Sequence, residues 1–254
     1  MNAPRLHWKP HEWRRRVEPA ELGLQYTSVE RLELTGTKRL ETGPEEVCLV
    51  CLGGAFRFAC AGRTGEAVPR DMLYVPPGSA IELAAADRVE IARFAAPCDL
   101  ATVFAHLKFA EIDRDPIRHK VYGKAANNCR RDVWNFIDDG FPAGRMLTGI
   151  CAGAPGGWTA WPPHEHAEKR EEVYVYFGMG KSFGVQLVYG DMDSPLVAGL
   201  VRDGDLVSVP RGYHPSVGCP AGGIGYIYCM VAKNQGERSF MDLSVQKEYG
   251  DRFE

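Results

Sequence analysis

The sequence predicts an all-β protein built from two similar halves. Two stretches, residues 25–97 and 145–233, contain apolar segments of four to eight residues separated by glycine- and proline-rich turns. Several of these segments alternate apolar and polar residues, which is the pattern of a strand with one buried face. Many short strands with little helix favour a β-sandwich or a small barrel.

A diverged internal repeat supports the division into halves. The segments DMLYVPPG at 71–78 and DLVSVPRG at 205–212 share Asp, Val, Pro and Gly at the same offsets. Each half also has an earlier Glu-Val strand, beginning at Glu46 and at Glu172, and we align these two strands with each other. The repeat therefore predicts the same strand order in both halves.

The connection between the halves interrupts the strand pattern. Residues 98–115 include LATVFAHL, which we predict as a short helical turn with Asp99 as its N-cap. We therefore place an N-terminal half without metal ligands at residues 1–115. A C-terminal half that binds metal follows at residues 116–254.

Composition excludes several classes of protein. A net charge of −3 and an isoelectric point near 6.2 give no basic footprint for nucleic acid. No stretch reaches the roughly 18 apolar residues of a membrane helix, and the N-terminus lacks the apolar core of a signal peptide. We expect a cytoplasmic protein with neither nucleic-acid nor membrane partners. Its eight cysteines, including the C-x-x-C at 48–51, are expected to be buried reduced thiols.

Three histidines and a glutamate form a candidate metal site. His164 and His166 are two residues apart, so both imidazoles leave the same face of a strand. Glu172 opens the next strand, and His214 follows the second repeated segment, where the first half has Ala80. Imidazole and carboxylate ligands suit a divalent ion such as Zn, Mn, Fe or Ni. The sequence therefore predicts one divalent metal ion per chain.

The choice between two adjacent glutamates stays open at this point. Glu171 and Glu172 point to opposite faces of a strand, so only one of them can be a ligand. We favour Glu172, which shares its face with Tyr174 and Tyr176.

The motifs around these residues resemble the cupin superfamily, and more narrowly the bicupin 5-deoxy-glucuronate isomerase family of bacterial myo-inositol breakdown. They extend over roughly residues 20–235 and include LYVPPG, YGKAANN, FPAGRML, PPHEH, EEVYVYF and DGDLVSVPRGYHP. The combination of PPH-x-H with VPRGYHP is much more specific than the ligand set alone. The resemblance implies a bicupin, with two tandem antiparallel β-sandwich (jelly-roll) halves and few short helices. It also places the metal ligands on His164, His166, Glu172 and His214.

The resemblance implies a metal-dependent aldose–ketose isomerase, an intramolecular oxidoreductase that converts 5-deoxy-D-glucuronate to 5-dehydro-2-deoxy-D-gluconate. Its partner would be this small deoxy-uronate, and a homo-oligomer is compatible with the sequence. The connection between His166 and the glutamate strand is shorter than we expect for that family. It is closer in length to a sister group, the 5-dehydro-4-deoxy-glucuronate isomerases of pectin breakdown, which is the first alternative. An iron cupin dioxygenase and a non-catalytic sugar-acid-binding cupin are further alternatives.

The implied reaction assigns roles to further residues. Moving a carbonyl from carbon 1 to carbon 2 develops negative charge that a divalent ion stabilises as a Lewis acid. A proton shuttle is also required, and Tyr174, Tyr176 and Tyr213 are candidates, with aromatic packing as the alternative for each. The substrate carboxylate calls for a cation, preferably a bidentate arginine. The candidate substrate-binding residues are Arg131, Lys124, Gln186 and Arg211.

Overall fold

The computed structural model describes residues 4–166 and 168–251. The short segments that alternate apolar and polar residues form strands, because successive side chains of a strand point to opposite faces and the apolar ones can all be buried on one face. The strands of the first half are β1 (His7–Trp8), β2 (Ser28–Glu41), β3 (Glu45–Gly53), β4 (Phe56–Cys60), β5 (Arg63–Ala67), β6 (Met72–Val75), β7 (Ala80–Pro97) and β8 (Ala105–Leu107).

A short helix, α1 (Phe109–Ile112), leads into the second half, where Ala125–Asn127 form a 3₁₀ turn. The strands of the second half are β9 (His119–Tyr122), β10 (Arg131–Ile137), β11 (Met146–Gly153), β12 (Trp158–Thr159), β13 (His164–Glu165), β14 (Arg170–Tyr176), β15 (Phe183–Val188), β16 (Val197–Arg202), β17 (Leu206–Val209), β18 (Ser216–Gly218), β19 (Ile224–Ala232) and β20 (Ser244–Val245).

The second half is a sandwich of two antiparallel sheets and one small strand pair. Its larger sheet has the order β1-β17-β14-β19-β11-β10-β9, and its smaller sheet has the order β12-β18-β15-β16. Strand β1 comes from the N-terminus, where His7 pairs with Val207. The boundary predicted at residue 115 lies between α1 and β9, while the first strand of the chain crosses into the second half.

The first half is one continuous sheet that passes through both layers. The order is β5-β4-β7-β3-β6-β8, with β2 paired to β7. The 18-residue β7 pairs with β4 through its first part and with β3 through its last part. Strand β7, with β2 paired along most of its length, therefore joins the two layers of this half.

The described core consists of three apolar clusters, and one of them joins the two halves. One cluster lies inside the first half and includes Leu49 and Phe58. Another lies inside the second half and includes Tyr174 and Met230. The third lies between the halves. It contains Cys48 of β3 and Val173 of β14, whose side chains point away from the interior of their own half because successive side chains of a strand face opposite sides. Each large sheet therefore has one face toward its own interior and one toward the other half.

Two buried glutamates connect the halves in a reciprocal manner. The carboxylate of Glu46 accepts hydrogen bonds from the backbone N–H groups of residues 144–146, at 2.6–3.1 Å, and from the Tyr74 hydroxyl at 2.6 Å. The carboxylate of Glu171 accepts from the backbone N–H groups of residues 25–27, at 2.6–2.9 Å, and from a threonine hydroxyl. Each half thus satisfies backbone donors of the other.

The repeat is real, but the alignment of its glutamates is wrong by one residue. Val47 pairs with Val75 of the first repeated segment, and Glu172 pairs with Val209, the equivalent residue of the second. Val47 therefore occupies the position of Glu172. It follows that Glu46 corresponds to Glu171, in agreement with their reciprocal hydrogen bonds.

The helical turn predicted for LATVFAHL is also wrong. Ala105–Leu107 form strand β8, in which Ala105 pairs with Tyr74 of β6. The helix α1 begins only after Lys108, and no side chain caps it. Pairing with β6, which is distant in sequence, overrides the weak local preference for helix.

The cysteines agree with the expectation from composition. All eight cysteines are buried and free within the described ranges. No helix in the described ranges is long and apolar enough to span a membrane.

Candidate metal centre

Two histidines reach the interior of the second half from β13 and the residue that follows it. His164 and His166 are both buried, and their ring centroids are 5.7 Å apart. Strand β13 lies against the C-terminal β20, with His164 opposite Val245. The two-residue spacing thus places both imidazoles on the interior side.

The carboxylate of Glu172 lies beside these rings. Its Oε2 is 3.0 Å from Nε2 of His166 and 3.2 Å from Nε2 of His214. Glu172 lies near the start of β14, between β17 and β19, so its side chain points into the interior. Glu171 points to the opposite face, toward residues 25–27. The structure places Glu172, and not Glu171, among the histidines.

His214 completes the cluster from the turn after β17. Its ring centroid lies 4.6 Å from that of His164 and 5.0 Å from that of His166. The turn requires a glycine, because Gly212 has a φ of +90° and an added Cβ would lie 2.5 Å from the carbonyl oxygen of Tyr189. The glycine of the repeated VPRG motif therefore allows the chain to bring His214 inward.

Backbone carbonyls fix the tautomers of two of the imidazoles. Nδ1 of His214 lies 2.9 Å from the carbonyl oxygen of Gly212, and Nδ1 of His164 lies 3.2 Å from that of Pro162. A carbonyl only accepts, so each Nδ1 carries the hydrogen and each Nε2 presents a lone pair. In metal sites, histidine ligands are commonly oriented in this way.

This arrangement fits a cation. The Nε2 lone pair of His214 and the carboxylate of Glu172 are two acceptors that converge at 3.2 Å. In the described part of the chain, Nε2 of His214 and Nδ1 of His166 are buried without a hydrogen-bond partner. Buried acceptors that face one another are unfavourable unless a positive charge lies between them. His166, Glu172 and His214 place their ligand atoms within 4.8 Å of one another, which is suitable for one metal ion.

The protonation states are also those of metal ligands. Burial lowers the pKa of His164 well below its usual value, and the neighbouring imidazoles lower it further. Burial likewise lowers the pKa of His166. Burial opposes the charge of Glu172, but hydrogen bonding with the His166 imidazole keeps the pKa of this carboxyl well below its usual value. His164 and His166 are therefore neutral and Glu172 is ionised near pH 7.

A small cavity of about 40 Å³ lies against this cluster. It has room for a few water molecules but not for a six-carbon sugar acid. Its wall combines the ligands with aromatic and apolar side chains. The lining residues are Arg131, Val133, Cys151, Ala160, His164, His166, Glu172, Tyr174, Tyr226, Tyr228, Met230, Phe240 and Leu243.

Two of the other predicted site residues lie in this lining. Arg131 is buried, and its guanidinium donates to the carbonyl oxygens of Cys129, at 3.0 Å, and of Trp161, at 2.7 Å. Tyr174 is buried two residues after Glu172, and its ring stacks on that of Tyr226 with centroids 4.3 Å apart.

Tyr176 and Gln186 lie behind the cluster and not in the lining. The Tyr176 hydroxyl donates to Oε1 of Gln186, and the Gln186 amide donates to the carbonyl oxygen of His214 at 2.9 Å. Both residues are fully buried. They support the turn that carries His214.

Tyr213, Lys124 and Arg211 lie farther from the cavity. Tyr213 is half-buried and packs against Tyr189, with ring centroids 5.8 Å apart. Lys124 and Arg211 are exposed and line two separate surface depressions. The structure therefore does not bring these three residues to the metal cluster.

Sequence reasoning missed eight of the lining residues, and most of them belong to two groups. Tyr226, Tyr228 and Met230 alternate along β19, and this period-two pattern is visible in the sequence GYIYCM. The sequence does not show that β19 pairs with β14, which is what places these side chains beside Glu172. The second group lies in the C-terminal tail, where Phe240 and Leu243 reach the cavity.

We call residues 239–246 the C-terminal strap, because this segment crosses the cavity from outside. The buried guanidinium of Arg170 donates to the carbonyl oxygens of Ser239 and Asp242. Farther along, β20 pairs with β13, and the N–H of Gln246 donates to the carbonyl oxygen of Pro163 at 2.8 Å. The strap therefore rests directly on the segment that carries His164 and His166.

Comparison with known sequences gives one consistent result. The model of the KduI/IolB family matches residues 5–247. A 5-deoxy-glucuronate isomerase of Geobacillus kaustophilus (strain HTA426) is 32% identical, and the match covers 85% of this chain and 83% of that protein. A 4-deoxy-L-threo-5-hexosulose-uronate ketol-isomerase 2 of Rhizobium meliloti (strain 1021) is 28% identical, with 82% of this chain and 72% of that protein covered.

Comparison with solved structures confirms the predicted bicupin fold. An IolB-like protein from Salmonella typhimurium LT2 superposes with a TM-score of 0.82 at 22% identity, covering 96% of this chain and 98% of that one. The oxalate decarboxylase of Lactobacillus farciminis, a cupin, gives a TM-score of 0.63 at 15% identity, covering 92% and 87%. At these identities the likeness concerns the fold.

Proposed function

The chain belongs to the KduI/IolB family, and on this basis we propose that it is a metal-dependent aldose–ketose isomerase of deoxy-hexuronates. Its main substrate is 5-deoxy-D-glucuronate, which it converts to 5-dehydro-2-deoxy-D-gluconate. The sequence relatives named 5-deoxy-glucuronate isomerase support this substrate. The observation that carries the mechanism is the convergence of two acceptors, Nε2 of His214 and the Glu172 carboxylate, beside a cavity that also contains an arginine.

We propose that His164, His166, Glu172 and His214 hold one divalent metal ion per chain. Three imidazoles and one carboxylate leave one or two coordination positions for substrate oxygens. A metal ion bound there would act as a Lewis acid toward the charge that develops on the substrate carbonyl oxygen. Zn, Mn, Fe and Ni all suit this set of ligands.

Arg131 provides the positive charge that the substrate carboxylate requires. Among the described residues that line the cavity, Arg131 is the one with a positively charged side chain. Its guanidinium donates hydrogen bonds to the carbonyl groups of Cys129 and Trp161, which hold it in place. A fixed guanidinium binds a carboxylate with defined geometry, which orients the other end of the substrate. This role places the substrate carboxylate on the Arg131 side and its carbonyl on the Glu172 side.

Among the three predicted tyrosines, Tyr174 is favoured as the one that handles a proton. Its ring lines the cavity two residues from Glu172. Burial raises the pKa of Tyr174 well above its usual value, and the charge of Glu172 adds to this effect. The Tyr174 hydroxyl therefore keeps its hydrogen near pH 7 and acts as a donor to a substrate oxygen.

Substrate entry requires part of the cavity wall to move. The present volume of about 40 Å³ is too small for a hexuronate. The strap is held to β13 by one short strand pair and presents Phe240 and Leu243 to the cavity. Displacement of the strap would open the site, and its return would exclude water from the reacting atoms.

An anaerobic assay of purified protein of known metal content tests the proposal. Each deoxy-uronate is supplied separately, and loss of the aldehyde is followed by proton NMR. We expect conversion of 5-deoxy-D-glucuronate. Conversion only of 5-dehydro-4-deoxy-D-glucuronate, the alternative that the Rhizobium relative supports, would preserve the mechanism and change the substrate. Turnover of neither compound by protein with one metal ion per chain would contradict the proposed activity.

A further inference from the structure

We propose that Tyr228 is a specificity-determining residue whose phenol oxygen accepts a hydrogen bond from a hydroxyl group of the substrate. This inference rests on the proposed function only in taking the ligand to be a hydroxylated sugar acid. Tyr228 lines the same cavity as Glu172 and Arg131.

Three residues in a row place this phenol. Gly149 of β11 pairs with Tyr228 of β19 on one side and with Asn135 of β10 on the other. Directly opposed residues of neighbouring strands present their side chains on the same face. The Tyr228 ring therefore crosses over Gly149, and its hydroxyl donates to Oδ1 of Asn135 at 2.5 Å.

The glycine at the centre of the row is required by this crossing. A Cβ at Gly149 would lie 2.3 Å from the Tyr228 hydroxyl and 2.6 Å from the ring carbon that bears it. Any side chain at this position would therefore displace the phenol. The register of β10 also shifts between Asn135 and Ile137, an irregularity of the kind that re-aims side chains near active sites.

The direction of the hydrogen bond is fixed by a third group. The Asn135 side-chain amide donates from Nδ2 to the carbonyl oxygen of Arg118 at 3.1 Å. Because that carbonyl can only accept, Oδ1 of Asn135 must face Tyr228, and the phenol must donate its hydrogen to it. The remaining lone pairs of the phenol oxygen are then available as acceptors.

The surroundings make such an acceptor selective. The same wall contributes Val133, Cys151, Met230 and Leu243, which offer little hydrogen bonding to a sugar acid. Burial also raises the pKa of Tyr228 well above its usual value, so the phenol stays neutral and continues to donate its hydrogen to Oδ1 of Asn135. A site that pairs with a substrate hydroxyl discriminates against an analogue without one.

The test measures binding separately from turnover in the full-length, metal-loaded protein. Two six-carbon acids serve as probes in calorimetric titrations: D-gluconate, which carries hydroxyls, and hexanoate, which has none. We expect the native protein to prefer D-gluconate and Tyr228→Phe to reduce this preference by roughly 10-fold to 100-fold. Hexanoate affinity should change little. An undiminished preference in Tyr228→Phe, or no preference in the native protein, would overturn the inference.

Two further variants complete the experiment. Asn135→Leu keeps the Tyr228 ring but removes the acceptor of its hydrogen, so the preference for D-gluconate should also fall. A full preference in Asn135→Leu would contradict the fixed direction of the hydrogen bond. Tyr74→Phe is the matched control, because Tyr74 donates to buried Glu46 at 2.6 Å in the other half. It should leave the preference unchanged.

Turnover is then compared with binding. For 5-deoxy-D-glucuronate, we expect Tyr228→Phe to raise KM more than it lowers kcat. If the native protein prefers D-gluconate through Tyr228 but turns over neither deoxy-uronate, the proposed function fails and the role of Tyr228 stands. If turnover is normal and the preference does not depend on Tyr228, the role of Tyr228 fails and the proposed function stands.

Discussion

The interiors of the two halves differ although their frameworks match. Glu172 of the second half is replaced by Val47 at the equivalent position of the first, and His214 is replaced by Ala80. The first interior is filled by apolar side chains, including Leu49 and others of the same cluster. The comparison shows that the metal centre depends on a few side chains that point into the interior of the second half. The same framework can carry apolar side chains at those positions instead.

The positions that both halves keep serve the framework. Glu46 and Glu171 each bind backbone N–H groups of the other half. The repeated aspartates behave alike as well, since Asp71 lies 3.1 Å from a histidine, His106, and Asp205 lies 2.9 Å from another, His7. These framework carboxylates are therefore common to both halves, whereas the Glu172 carboxylate of the metal cluster is replaced by Val47 in the first half.

The largest effect is expected when the metal ligands are removed. His164→Ala combined with His166→Ala should reduce bound metal from one ion per chain to none and lower kcat by about 10³-fold or more. Elemental analysis and the isomerase assay measure both quantities, and circular dichroism checks the fold. His106→Ala in the first half is the control and should keep one ion. Two ions per native chain would refute the difference between the halves.

A core substitution in the first half should lower stability and leave activity unchanged. Phe58 is buried in the apolar interior, with its ring centroid 5.5 Å from that of Phe104. Phe58→Ala should lower the free energy of unfolding by about 3–5 kcal/mol through lost burial and the cavity it leaves. Urea unfolding measures the loss, and kcat per folded molecule should not change. Loss of bound metal in the folded variant would show that this interior contributes to the site.

Two neighbouring glutamates on β14 should separate stability from chemistry. Glu171→Gln weakens the hydrogen bonds to residues 25–27 and should lower the free energy of unfolding by roughly 1–3 kcal/mol while metal stays bound. Glu172→Gln should lose metal and activity instead. Glu46→Gln should resemble Glu171→Gln, because the two positions are equivalent. Greater loss of activity in Glu171→Gln than in Glu172→Gln would reverse the assignment.

The smallest of these effects concerns the strap, a feature of the second half. Arg170→Met removes the donors to the carbonyl groups of Ser239 and Asp242, so hydrogen exchange of residues 239–246 should become faster while bound metal is kept. Lys169→Met is the control, since it removes only an exposed ion pair to Asp242 at 3.3 Å, worth less than about 1 kcal/mol. Equal exchange rates in both variants would show that Arg170 does not hold the strap.

The sequence predicted much of this protein because the relevant signals are local. The alternation of short segments indicated the strands, and the repeated Asp-x-x-x-Val-Pro-x-Gly indicated the halves. The spacing of His164 and His166 requires only the geometry of one strand. These features need no knowledge of distant partners.

The tertiary structure decided whatever depends on pairing between distant segments. Strand register pairs Val47, and not Glu46, with Val75 of the first repeated segment. Pairing with β6 also makes Ala105–Leu107 a strand. It also brought Tyr228 over Gly149 to Asn135, three residues spread over 94 positions of the chain (135 to 228).

The ligand-rich segments of the chain were thus readable from the sequence, and the wall around them was not. Lys124, Arg211 and Tyr213 looked suitable by residue type or adjacency, but their side chains lie outside the cavity. The strap reaches the site from the far end of the chain. A side chain's type and local spacing are properties of sequence, whereas the side chains it meets depend on which strands pair and in which register.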